Sequence, residues 1–305
     1  MDNKTRLSDP TKTTTLRNAF AQAMRVRFSA FTKDIVYSIV KEDCFGLTEE
    51  PLFTFADRYS PGYKRFAYLR KDAKIESFIS WINELQRKRL LNIVISSQIG
   101  QGINAHWTDV YLESAYVQGI KRAMDEMEHI GMKVPKTSKD DAFRIAREPI
   151  HADRLGVIFT RAYSDLKGIT TTMDTQISRI LAQALLEGKG AKEISGLIAD
   201  VLIGGQKYKA SEYVGRYVSA TRRAQLIART EIIRAHHLAI IQQYRNWGVL
   251  GIKFQAEWKT AGDNRVCSLC ESQDGNVFTL DEIEGLIPLH PGCRCMALPW
   301  SPDIN

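Results

Sequence analysis

The side chains able to do chemistry are concentrated in one short stretch, Val266 to Cys295, VCSLCESQDGNVFTLDEIEGLIPLHPGCRC, which holds four of the chain's five cysteines and one of its six histidines. The spacing is Cys267-x2-Cys270, nineteen further residues, then His290-x2-Cys293-x-Cys295. A C-x2-C knuckle lets two thiolates approach one ion from a tight turn, and H-x2-C repeats that geometry with an imidazole. Two such pairs close a tetrahedron around zinc, with Zn–S about 2.3 Å and Zn–N about 2.0 Å, and four protein ligands leave no position for a reactive water. The expected chemistry is therefore structural. Five donors compete for four places. In extended backbone Cys293 and Cys295 project from the same face, so either can be the fourth ligand. The repeated x2 spacing favours His290 with Cys293, leaving Cys295 as a small buried hydrophobe or a rival ligand.

Other uses of these thiols fit less well. A thioredoxin-like pair belongs at the start of a helix in a βαβ unit, whereas this one precedes the turn-forming Asp274–Gly275. A zinc deaminase needs H-x-E ahead of P-C-x-x-C, and the chain offers only His151-Ala152-Asp153, far upstream. His236 and His237 are adjacent on a helical stretch, so they face directions about 100° apart and cannot both hold one ion. The expectation is one half-buried and one exposed. Asp281, Glu282 and Glu284 read as the solvated surface of a loop, Cys44 as a core or neutral position, and Gly204–Gly205 lacks the Lys-Ser/Thr of a phosphate-binding loop. No catalytic residue is assigned, and the chain reads as non-enzymatic.

The elements that must position this cluster are mostly helical. From Thr13, an N-cap type, apolar residues recur at Leu16, Phe20, Met24, Phe28, Phe31, Ile35 and Ile39, the steps of one helix face. The stretch from Asp43 to Tyr63 reads as irregular. Helical spacing returns at Ile75, Phe78, Ile79, Ile82 and Leu85, and again over Trp107–Ile130, with Val110, Tyr111, Ala115, Val117, Ile120 and Met124 as apolar positions. Residues 131–150 read as a polar linker. Two helices follow, His151–Leu166 and Asp174–Glu187, the second closed by Gly188. AKEISGLIADVL gives a short amphipathic partner, Gly204 to Tyr217 a basic connection, and roughly Ser219–Trp247 a long helix. After Gly248 the pattern alternates: GIKFQAEWKT, NVFTL and CRCMALPW read as strands, with Asp274–Gly275 as a two-residue hairpin turn. The expected fold is α+β: a mainly α-helical, extended body with a small C-terminal zinc-stapled β module. Its parts are 1–130 (N-terminal helical region), 131–150 (linker), 151–247 (helical domain) and 248–305 (Cys/His module).

Composition sets outer limits. The 305 residues are 44% hydrophobic and 25% charged, ordinary for a globular chain. No apolar run is long enough to span a bilayer, and no apolar h-region opens the sequence. The expectation is a reducing cytoplasm, where disulfides are disfavoured. The net charge of +7 is uneven: from Gly251 onward four Lys/Arg face eight Asp/Glu, a net −4 that leaves +11 on residues 1–250. A basic body suggests a polyanionic neighbour, most simply nucleic acid, and the acidic module would face protein.

Three segments occur together and in order: ARTEIIRA (Ala228–Ala235), EWKTAGDNRVCSLCESQDGNVF (Glu257–Phe278) and PLHPGCRC (Pro288–Cys295). Together they resemble the phage Mu F-like head morphogenesis proteins, also called minor head proteins, most densely over about residues 150–300. The resemblance implies a structural virion component, within the capsid or at the portal vertex, assembled in the host cytoplasm. Its implied partners are the portal protein, capsid or scaffold protein, and packaged double-stranded DNA, with no membrane. On this chain the family's Cys/His positions fall on Cys267, Cys270, His290, Cys293 and Cys295. Its helix signature falls on Arg229–Thr230–Glu231, and its core motif on Trp258, Asp263, Arg265, Asp274 and Gly275. Arg229 and Glu231 are expected to pair with Asp263 or Arg265 and so dock the module. The alternative from another class is a phage-encoded enzyme or effector, of nuclease or transferase type, carrying a structural zinc module.

Overall fold

The computed structural model describes residues 9–47, 70–95, 104–204, 218–248 and 254–301. The basic connection expected at 204–217, apart from Gly204, residues 251–253 of GIKFQAEWKT, and most of the irregular 43–63 stretch lie outside them. The fold is mainly helical with a small antiparallel sheet near its C-terminal end. The elements run α1 (Thr14–Val40), α2 (Lys71–Arg89), β1 (Ile93–Ile95), β2 (Asn104–His106), α3 (Asp109–His129), α4 (Lys139–Ile145), α5 (Pro149–Leu186), α6 (Ala191–Ile203) and α7 (Ala220–Gly248). They end with β3 (Gln255–Lys259), α8 (Ser268–Glu271), β4 (Val277–Thr279), α9 (Leu280–Glu284) and β5 (Met296–Trp300). Contacts divide the chain into two compact units, 1–21 with 95–163 and 226–305, and 22–94 with 164–225.

The second unit is built from helix faces. Phe28, Phe31, Ile35 and Ile39 of α1 are fully buried, as are Phe78 and Ile82 of α2. The Gln86 amide donates to Asp174 Oδ1 at 2.6 Å, and burial raises that carboxyl to about 6 despite the bond. The two helices expected at 151–166 and 174–187 are one helix of 38 residues. The intervening Gly-Ile-Thr-Thr-Thr weakens helix propensity, but the hydroxyls of Thr170, Thr171, Thr172 and Thr175 donate to carbonyls three or four residues back. The buried positions Leu166, Ile169, Met173, Ile177 and Leu181 carry the apolar stripe through without a break. Gly188 then ends α5 at φ 71°, a left-handed value suited to glycine.

The first unit holds the cluster. Its N-terminal helix is capped by Asp9 rather than Thr13: Asp9 Oδ2 accepts from the Thr14 backbone N–H at 2.8 Å. Within the expected linker, Lys139–Ile145 forms a helix opened by a Ser138/Asp141 capping box. On α3, Val110 is 40% exposed while Leu112, Tyr116 and Gly119 turn inward with Ala115, Val117 and Ile120.

The C-terminal sheet has the order β4-β3-β5, antiparallel throughout. Trp258 lies opposite Ala297 and Gln255 opposite Trp300. Ala256 and Trp258 of β3 point inward with the period of two that the sequence displays. Asp274–Gly275 is not a two-residue hairpin turn. The connection from β3 to β4 runs from Thr260 to Asn276 and contains α8. Asp274 Oδ1 accepts from the Thr260 N–H at 2.7 Å, and the Gly275 N–H donates to the Trp258 carbonyl at 2.9 Å, so the pair closes a long loop. Gly275 has φ 81°, which explains glycine there. The sheet also has no separate core. Ala256, Trp258, Ile283, Ile287, Cys293, Cys295 and Met296 share one apolar cluster with Ala123, Met124 and Met127 of α3 and Ile233, Ile240, Ile241 and Tyr244 of α7.

Candidate metal centre

The cluster forms at two tight turns. Cys267 is the N-cap of α8, and its Sγ accepts from the Cys270 backbone N–H at 3.4 Å, which points both thiols to one side. The second turn, His290 to Cys293, is closed by the Cys293 N–H donating to the His290 carbonyl at 3.1 Å. Gly292 sits there at φ 79°, a backbone conformation that side chains resist.

His290 Nε2 lies 3.2 Å from both Cys267 Sγ and Cys270 Sγ, and Cys270 Sγ lies 3.9 Å from Cys293 Sγ. Ligands about 2.0–2.3 Å from a tetrahedral ion stand about 3.5–3.8 Å apart, so these separations are of ligand scale, but Cys293 groups with Cys270 and Cys295 and not with Cys267 and His290. Two triads satisfy the proximity a metal requires, Cys267–Cys270–His290 and Cys270–Cys293–Cys295, and they share Cys270. The donors could hold a metal ion. His290 Nδ1 is 3.0 Å from the Pro291 carbonyl oxygen. A carbonyl only accepts, so Nδ1 carries the proton and Nε2 turns its lone pair toward the thiols.

The electrostatics point the same way. Burial pushes the Cys270 thiol up to about 12. The bond with Cys293, with burial behind it, drives Cys295 upward, while the same bond holds Cys293 down to about 5. The backbone N–H of Cys270 lowers Cys267. Protein groups alone stabilise thiolate character at Cys267 and Cys293 and resist it at Cys270 and Cys295. A bound cation would supply the missing positive charge and displace those protons.

The residues around the turns hold them to the helices. The Gly292 N–H donates to Thr230 Oγ1 on α7 at 3.0 Å. Asp263 accepts from the Arg265 side chain at 2.7 Å and from Arg294 Nη1 at 2.7 Å, and the Arg294 bond is the first cause of a carboxyl held well below the usual range. Glu231 is buried and meets Arg234 at 3.1 Å and Arg161 at 3.7 Å, while Arg229 is exposed on α7. Trp258 lies in the core, and Asp274 and Gly275 close the loop behind the cysteines.

The contacts that dock the sheet come from residues read otherwise in the sequence. Asp281, Glu282 and Glu284 stand on a helix, α9, and not on a loop. Glu282 completes a capping box with Thr279, a spacing visible in the sequence. Arg245 of α7 grips Glu284 with two bonds, at 2.8 and 3.0 Å, and Arg154 of α5 adds another. His237 Nε2 donates to the Ile283 carbonyl at 3.0 Å. Both histidines of the pair are buried, at 1% exposure each, and burial lowers His236 to about 3 and His237 to about 4, so both are neutral at pH 7. The expectation of one exposed ring fails because α7 is enclosed on all sides there. Cys44 is fully buried, as expected.

Burial alone would raise Glu284, but the bonds from Arg245 and Arg154 outweigh it and hold the carboxyl at about 2. A depressed carboxyl stabilises the fold fully above its unfolded value, about 4.3, and that stabilisation is lost as pH falls toward 2. Glu284→Gln should therefore cost about 1–3 kcal/mol at pH 7. The gap from the parent should narrow between about pH 4.3 and 2 in urea melts at stepped pH. A gap constant with pH would remove Glu284 as the docking charge.

With the donor set in one place, comparison with known proteins becomes informative. Residues 175–298 match the family model described as Phage Mu protein F like protein. The matched Mu F-like segment starts within α5, includes α6 and α7, and takes in all five donors and most of β5. The resemblance carried by ARTEIIRA and the Cys/His stretch holds across it. No curated protein and no solved structure matches the chain. Among the described residues, no helix is long and apolar enough to cross a membrane.

Proposed function

We propose that the chain is a minor head protein of a tailed phage, a structural component of head morphogenesis that binds the portal vertex and contacts packaged DNA. The observation carrying this reading is the Mu F-like match over 175–298, which spans the whole donor cluster and the helix docked to it. Zinc is the metal whose chemistry suits the cluster, because thiolates with one imidazole in a closed tetrahedral set favour it. Cys267, Cys270, His290 and Cys293 would hold it, with Cys295 beside them. The ion would brace the two turns, and the residues around it would present α9 and the sheet to the helices. The +11 carried by residues 1–250 suits a neighbour with a phosphate backbone.

Co-expression with the portal and major capsid proteins of the same phage tests this reading. The protein should sediment with portal-containing particles and be lost from particles assembled without portal. Equal recovery in both would defeat portal binding, and recovery in neither would defeat the head-protein reading.

A further inference from the structure

The C-terminal segment is acidic in sum, yet its arginines are not scattered. Arg265 and Arg294 bracket the cysteine turns and converge on one carboxylate, Asp263. Arg294 has 14% of its side chain exposed and Arg265 has 70%. Thr230, bonded to Gly292 of the second turn, places its neighbour Arg229 beside the same turns, with its side chain exposed. A fourth guanidinium arrives from the start of α1. Arg17 is 9% exposed, donates to Asp9 at 3.2 Å and to Thr14 Oγ1 at 2.7 Å, and leaves its buried Nε without a partner among the described residues. Burial lowers Arg17, and after the attraction of Asp9 the next influences are repulsions from Arg294, Arg229 and Arg265. Asp9 in turn acts on Arg294. The start of α1 is thus near enough to the cysteine turns for their charges to act on each other.

In this patch four guanidinium groups meet two carboxylates, Asp9 and Asp263, so the arginines outnumber the carboxylates that pair with them. Two of the four are deep and fixed by their carboxylates, and two reach solvent. Fixed buried charge strengthens the field at the exposed pair, and guanidinium forks match phosphate oxygens.

We infer that Arg229 and Arg265, backed by Arg17 and Arg294, form a phosphate-binding site on the face of the cysteine turns. The inference deepens the DNA contact proposed above and rests on it for the source of the phosphate. It also moves that contact: the Cys/His segment, acidic in sum, touches the polyanion through its arginines.

The test uses the full-length protein. Binding to a random-sequence 30-base-pair duplex is measured between low and moderate salt for the parent, for Arg229→Gln with Arg265→Gln, and for Lys139→Gln, an exposed residue on α4. Binding of inorganic phosphate is followed by calorimetry. The double variant should lose about 1.8 from the slope of log affinity against log salt, with affinity falling on the order of tenfold, while Lys139→Gln keeps the parent's slope. A parent that binds the duplex and a double variant that binds it equally well would overturn the site and leave the DNA reading standing. A parent that ignores the duplex but takes up phosphate, with uptake lost in the double variant, would keep the site and end the DNA reading. A parent that binds neither ends both.

Discussion

Cys270→Ser should empty the metal centre, because Cys270 is the one donor common to both triads. Whichever pair of ligands completes the tetrahedron, Cys270 belongs to it. The purified parent should carry about one zinc per chain by elemental analysis, and the variant close to none, since three remaining ligands bind far more weakly than four. Cys295→Ser should keep the ion, as Cys293, whose Sγ lies 3.9 Å from Cys270 Sγ, takes the fourth ligand position in this assignment. A full complement in Cys270→Ser would refute the centre, and a loss in Cys295→Ser would transfer the fourth position from Cys293. Metal binding in a small isolated finger contributes on the order of ten kcal/mol and decides whether it folds. Here the sheet's inner face packs on α3 and α7. Stripping the ion should therefore loosen the turns at Cys267–Cys270 and His290–Cys293 while the helices persist, giving a lowered melting temperature with nearly unchanged helical circular dichroism. Collapse of the helical signal on chelation would mean that the centre holds together far more than its own turns.

That difference marks the boundary of what the sequence discloses. Spacing in Cys267-x2-Cys270 and His290-x2-Cys293 is local, because ligand geometry depends on a few backbone torsions, and the structure brings those residues together. Period-two burial on β3 and the stripe on α1 were legible for the same reason. The shared core was not. Met124 and Met127 lie more than 120 residues before the strands they cover, and nothing in the strand pattern names its partner. Asp274–Gly275 carried a sound turn signal whose other arm lay beyond a loop containing α8, so the local reading chose the shortest hairpin. Glu284 looked like solvated surface because its two arginines, Arg154 and Arg245, come from separate helices. Charge pairs at long separation leave no periodic trace.

One glycine shows how such a long-range contact can be tested. Gly119 sits in the interior of α3, where glycine costs about 1 kcal/mol relative to alanine. The cost has a reason: a Cβ there would stand 2.3 Å from the His236 carbonyl oxygen and 2.8 Å from the Ala239 Cβ, both on α7. The obstacle is backbone, so no side-chain rotation relieves it. Gly119→Ala should force α3 and α7 apart just where they enclose His236 and begin the cluster beneath the sheet. Overpacking of this kind costs on the order of 3 kcal/mol, which outweighs the helix-propensity gain. Gly156, exposed on α5 with nothing within 4 Å of an added Cβ, supplies the opposite case. Gly156→Ala should stabilise by up to about 1 kcal/mol. The same substitution on two helices thus changes sign according to what faces it. Urea unfolding of the two variants beside the parent reads both shifts. A Gly119→Ala protein as stable as the parent would mean that α3 and α7 do not approach this closely, and the shared core that carries the Cys/His cluster would have to be drawn differently.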